Sequence, residues 1–127
     1  MKEKQVDQFE QIVTRLEGQY TEISILSKGK PNEAINKFKL KFINTVLSSA
    51  NELLIKEYRP YPDFTVFNED DMPSNSDVVF ILSQYLSSLE KFREDNTELD
   101  RFGVRHWIID GEVSGIRSLS VKIVSKK

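Results

Sequence analysis

Val6, Phe9, Val13, Leu16, Tyr20 and Ile23 recur at alternating intervals of three and four, and Ile12 widens the stripe. That period belongs to one face of a helix, and it predicts an amphipathic first helix over about 4–27 with Gly18 on its polar side. Lys28-Gly29-Lys30-Pro31-Asn32 follows. Glycine suits a helix C-terminus and proline a first turn, so a second helix is expected over about 33–57. So short a link makes the two helices an antiparallel hairpin.

The second helix is the most unusual segment. Placed at 100° per residue, Ile35, Phe38, Leu40, Phe42, Ile43, Val46, Leu47, Ala50, Leu53 and Leu54 sweep roughly 200°, about twice what a surface helix needs. The excess predicts cover from two or three sides, by this chain or by a partner. Together with the heptad spacing of the first helix, it points to a homodimer through the helical hairpin. Packing within one chain satisfies the same spacing, so both remain open.

Tyr58-Arg59-Pro60-Tyr61-Pro62 breaks the helical period and begins an acidic loop over about 59–74. Within it, Phe64-Thr65-Val66-Phe67 has the composition of a short strand. Ser74 and Asp77 form a capping-box-like start to a third helix, about 75–94. Val78, Ile81, Leu82, Tyr85, Leu86, Leu89 and Phe92 line one face of it. Phe80 lies on the opposite face, roughly 200° from Val78, among Ser83, Gln84, Ser87 and Lys91.

Beyond Asp95-Asn96-Thr97 the period changes to alternation. Val104–Asp110 and Ile116–Val124 read as two strands of a hairpin over about 104–124, joined by the five residues Gly111–Gly115. Leu119, Val121 and Ile123 share one face of the second strand. A lone hairpin is marginal in water, so a third strand is expected from residues 64–67 or from another subunit. The fold class is α+β, one domain over 1–127: a helical hairpin, a third helix and a C-terminal antiparallel β-hairpin.

Composition narrows the chemistry. With no cysteine, disulfides, thiol catalysis and cysteine-ligated zinc are excluded. A net charge of −2 gives no overall field toward nucleic acid or anionic membrane. The longest apolar run, Val78–Leu82, is far short of a membrane span, and the charged start MKEKQVDQFEQ lacks a signal-peptide core. A cytoplasmic protein without cofactor is expected, and the lysine, asparagine and serine content suggests a bacterial or phage setting.

His106 is the single histidine, with Arg101 five positions before it. This Arg-x4-His spacing is similar to the short motif of the HEPN ribonucleases, which implies action on RNA phosphates by Arg101 and His106. In that family the motif lies on a helix, whereas here Gly103 intervenes and a strand pattern follows. The carboxylates Glu69, Asp70 and Asp71, with Asp63 and Asp77 nearby, lack the alternating donors and glycine of a calcium loop, so no metal site is expected. They fit a solvated loop or a docking rim for a basic partner.

Lys37 and Lys41 share a helix face with Asn44 and Ser48 and are the candidates for nucleic-acid contact. Phe38 and Phe42, assigned to the apolar arc, would be unavailable for stacking on bases. Lys39 falls inside that arc and must snorkel, while Glu33 is spaced to pair with Lys37. Trp107 fits either a core or an interface anchor. The reading these features favour is a non-catalytic protein-binding module: an adaptor, accessory subunit or inhibitor. Phe80, Glu69, Asp70, Asp71 and Trp107 are its candidate contacts. A small ribonuclease-like toxin using Arg101 and His106, and a nucleic-acid binder using the Lys28–Lys41 stretch, are the alternatives.

Overall fold

The computed structural model describes residues 1–122. Three helices carry a small sheet: α1 (Glu3–Gly29), α2 (Lys37–Leu53) and α3 (Asn75–Asp95), then β1 (Thr97–Leu99), β2 (Arg105–Ile109) and β3 (Glu112–Ser118). This is the α+β architecture that the change of period implies. The apolar stripes of α1 and α3 meet, α2 lies along α1, and the sheet closes one end of the bundle. Phe9 is the junction: its ring lies 5.9 Å from Phe92 and 4.9 Å from Trp107.

The capping box at α3 forms as expected, with Ser74 Oγ accepting from the Asp77 N–H and Asp77 accepting from the Ser74 N–H. The second helix is shorter than its apolar period. It starts at Lys37, because Asn36 caps it by accepting from the Lys39 N–H at 3.1 Å. Ala34 and Ile35 instead extend alongside Ser74 and Pro73, the Ile35 N–H donating to the Pro73 carbonyl. At the other end, the chain unwinds at Leu54, and a 3-10 turn over Lys56–Tyr58 follows. Unwinding brings Tyr58 to Phe92 and to the Asp95 carboxylate.

The wide apolar arc therefore does not exist as one buried surface. Leu40, Ile43, Val46, Leu47, Ala50 and Leu53 are buried, and they span only roughly 140° of α2. Phe38 and Phe42, expected in the core, are 67% and 51% exposed and pack edge-to-face on each other at 5.0 Å. Lys39 does reach outward, to the Glu22 carboxylate of α1. Glu33 pairs with Lys30 at 3.9 Å rather than with Lys37.

Residues 64–67 are not a strand. Asn44 donates to the Phe67 carbonyl and accepts from the Phe67 N–H, each at 2.9 Å, and Asn51 donates to the Thr65 carbonyl. Side-chain amides of α2 thus do what a neighbouring strand would have done, satisfying the backbone of a loop. The third strand is β1, directly after α3, in the antiparallel order β1-β2-β3 with Thr97 opposite Trp107.

The hairpin turn also differs from expectation. Ile109 pairs with Glu112, so the link is the two residues Asp110-Gly111, both at positive φ (52° and 84°). That is the twist-matched turn for which Asp-Gly is favoured, and it outcompetes the five-residue loop. Gly115 lies within β3, where Trp107 alone faces Ser114–Ile116 in a bulge. Beyond β3, Leu119 is exposed and Val121 is buried; Ile123 and Val124 lie outside the described residues.

Tyr58 offers a pH test of the α2–α3 connection. Its hydroxyl donates to Asp95 at 2.8 Å, and that bond, then burial and the Asp95 charge, push its pKa up to about 12. Since the folded value lies above the unfolded one, near 10, the contribution is complete below about pH 10. It is lost as pH rises from there through about 12. Absorbance titration should show two tyrosines ionising late, Tyr58 and the buried Tyr85, and Tyr58→Phe should remove one of them. The urea midpoints of wild type and Tyr58→Phe should differ at pH 9 and converge above pH 12; a constant gap would contradict the assignment.

Candidate functional site

Between Pro60 and Glu90 the chain has six carboxylates and no lysine, arginine or histidine. The structure places two of them, Asp71 and Asp77, in the lining of one groove. Asn68 accepts from the Asp70 N–H and holds Glu69–Asp71 as an exposed 3-10 turn, which closes with Met72 at φ 50°. Left-handed backbone is unusual for methionine, and the Met72 side chain is 62% exposed. The buried Pro73 then anchors the loop through its bond from Ile35 and delivers the chain to the Ser74 cap. Asp71 and Asp77 thereby both come to line a largely apolar cleft.

That cleft, of about 500 Å³, is lined by Phe64, Val66 and Phe67 from the loop and by Phe80 and Ile81 from α3. Phe80 is 52% exposed and stacks on Tyr61, with ring centres 6.2 Å apart and planes 27° from parallel. The first turns of α3 therefore present an aromatic pair to solvent beside a carboxylate rim. Of the residues singled out from the sequence, Phe80 and Asp71 both line this cleft, while Glu69 and Asp70 share the turn of Asp71 without lining it.

Trp107 is not part of any such surface. It is fully buried on the central strand, edge-on to Phe9, and its side chain is used up by the core. Core packing accounts for it in place of an interface role.

Arg101 and His106 are placed differently from a helical catalytic pair. His106 stands on β2, and its Nε2 lies 2.8 Å from Asp100 Oδ2. The Val104 N–H and then His106 hold the Asp100 carboxyl below its usual range. Asp100 also accepts from the Phe102 N–H, so it organises the turn between β1 and β2. The Arg101 guanidinium sits 5.1 Å over the Phe102 ring. The partner of His106 is thus a turn-building aspartate, and the arginine of the motif is engaged on an exposed phenylalanine.

Lys37 and Lys41 are exposed along the outer face of α2. Beside them, on the same outward arc, stand Phe38 and Phe42, which border a second, smaller apolar hollow with Ile23 and Ile43. Sequence reasoning missed this aromatic pair as a surface feature. Helical spacing gave a signal for Phe38 only, which lies about 60° from Lys41; Phe42 lies about 20° from the buried Leu53, so its exposure was not legible.

Among the described residues, no three of histidine, aspartate and glutamate approach closely enough to hold a metal ion, and no helix is long and apolar enough to cross a membrane. Compared with protein-family models, with curated proteins and with solved structures, the chain matches none.

Proposed function

We propose that this chain is a non-catalytic protein-binding module, serving as an adaptor, an accessory subunit or a protein inhibitor in a larger bacterial or phage system. It acts in the cytoplasm, self-associates through its helical hairpin, and receives a protein partner at the Phe80 groove. The single observation that supports this most is the half-exposed Phe80 stacked on Tyr61, with an apolar floor beneath and carboxylates at the margin. Aromatic anchors surrounded by a polar rim carry most of the energy in protein interfaces. A ring already held by a neighbouring ring loses little further freedom on binding. Asp71 and Asp77 in the lining favour a partner surface of opposite charge, the one nearby cation, Arg59, being engaged on the Phe64 carbonyl.

Phe80→Ala tests this reading. Recovery of a stoichiometric partner from the native host should fall with an affinity loss of roughly 1–3 kcal/mol. At concentrations low enough to keep the chain monomeric, the melting temperature of the isolated protein should barely change, because an exposed side chain contributes within about 0.5 kcal/mol. Undiminished partner recovery, or a strongly lowered melting temperature, would remove the groove from the function.

A further inference from the structure

Two exposed surfaces of this chain match one another. The first is the outer stripe of α2, where Lys37, Phe38, Lys41 and Phe42 fall within roughly 140° and all face solvent. Residues 28–51 contain five lysines and one carboxylate, Glu33. Phe38 and Phe42 are held against each other at 5.0 Å, so they form a fixed aromatic knob flanked by cations. The second surface is the Phe80 groove, a largely apolar cleft with Asp71 and Asp77 in its lining.

We propose that the occupant of the groove is a second copy of this chain. The α2 stripe of each protomer seats in the Phe80 groove of the other, giving a two-fold homodimer with two reciprocal contacts. This rests on the reading of the groove as a protein-docking site. The charges favour it over the simpler alternative of stripe against stripe. Packing two α2 stripes face to face would set Lys37 and Lys41 of one copy against the same lysines of the other. Seating the stripe in the groove instead pairs those lysines with carboxylates.

The apolar accounting agrees. One reciprocal contact covers Phe38, Phe42 and Phe80 together, each half or more exposed in the single chain. A reciprocal contact is the form a two-fold axis takes, in which surface i meets surface j and j meets i. Both surfaces flank the same loop. Asn44 of α2 grips it at Phe67, and Ile35, just before α2, grips it at Pro73.

Mixing variants separates the possibilities. Phe38→Ser removes the knob and Phe80→Ser damages the groove; both side chains are exposed, and melting curves will verify that each variant folds. In sedimentation at micromolar concentration, the wild type should have twice the 14.8 kDa chain mass and dissociate as sodium chloride is raised. Each variant alone should be monomeric. An equimolar mixture restores one complete contact, knob of one into groove of the other. It should form a heterodimer weaker than wild type but tighter than either variant alone. A monomeric wild type, a mixture that stays monomeric, or a dimer lost with Phe38→Ser but kept with Phe80→Ser would overturn the proposal. In that last case, loss of a heterologous partner from Phe80→Ser would leave the groove as a docking site for another protein. No effect on either would refute both readings.

Discussion

Trp107→Ala is expected to destabilise the protein by roughly 3–5 kcal/mol, the cost of deleting a large aromatic from a packed core. Trp107 is fully buried on the middle strand and meets Phe9 edge-on at 4.9 Å, while Phe9 in turn lies against Phe92 of α3. It is therefore the aromatic side chain through which the sheet meets the apolar core of α1 and α3. The three-stranded sheet has no second layer of its own, and such a sheet needs an apolar face against helices to persist. For a domain of this size the loss corresponds to a fall in melting temperature of about 10–20 °C. Trp107→Phe should cost less than half as much. It keeps the ring contact and removes an indole N–H that bonds to no protein acceptor. Urea unfolding followed by circular dichroism measures both. A loss below about 1 kcal/mol for the alanine variant would show that the sheet is not held through this residue.

Arg93→Ala is expected to cost a similar amount, roughly 3–5 kcal/mol, for an electrostatic reason. The Arg93 side chain is 6% exposed; its Nε donates to Ser118 Oγ at 2.7 Å and its Nη1 to Glu90 at 2.8 Å. The other Glu90 oxygen accepts from the Val121 N–H. Removing the guanidinium strands a mostly buried carboxylate and leaves the Ser118 acceptors without their donor, so the penalty exceeds the worth of one hydrogen bond. The end of β3 and the residues after it should detach first. Arg93→Lys should recover only part of the loss, because a single ammonium cannot reproduce the fork that serves Glu90 and Ser118 at once. Hydrogen exchange should show faster exchange at the Val121 amide in both variants. Full stability in the lysine variant would mean that charge alone, and not the fork, secures the sheet.

These two residues also mark where reading the chain succeeded and where it failed. Trp107 was legible as a large aromatic on a strand, but alternation alone does not say which face of a sheet meets the helices. Arg93 gave no signal at all, since an arginine near the end of a helix ordinarily faces water. The aromatic–acidic groove was partly legible. Phe80 breaks the helical stripe visibly, and Glu69-Asp70-Asp71 stands out as a run. The stacking of Tyr61 on Phe80 depends on the path of an irregular loop, which no period encodes.

The sequence by itself determined the three helices, the cap at Ser74, the change to alternation after Asp95 and hence the α+β class. Those follow from interactions within a few residues and from burial on one periodic face. The tertiary structure alone decided that α2 is short and one-sided, because Asn36 caps it late and residues 34–35 join the loop instead. It alone decided that residues 64–67 bond to Asn44 and Asn51 and that β1 supplies the third strand, whereas the Asp110-Gly111 turn is a local signal already present in the sequence. In each case a hydrogen bond between distant or competing groups overrode an apolar pattern. Periodicity reports which side chains avoid water, not which partner satisfies a backbone amide.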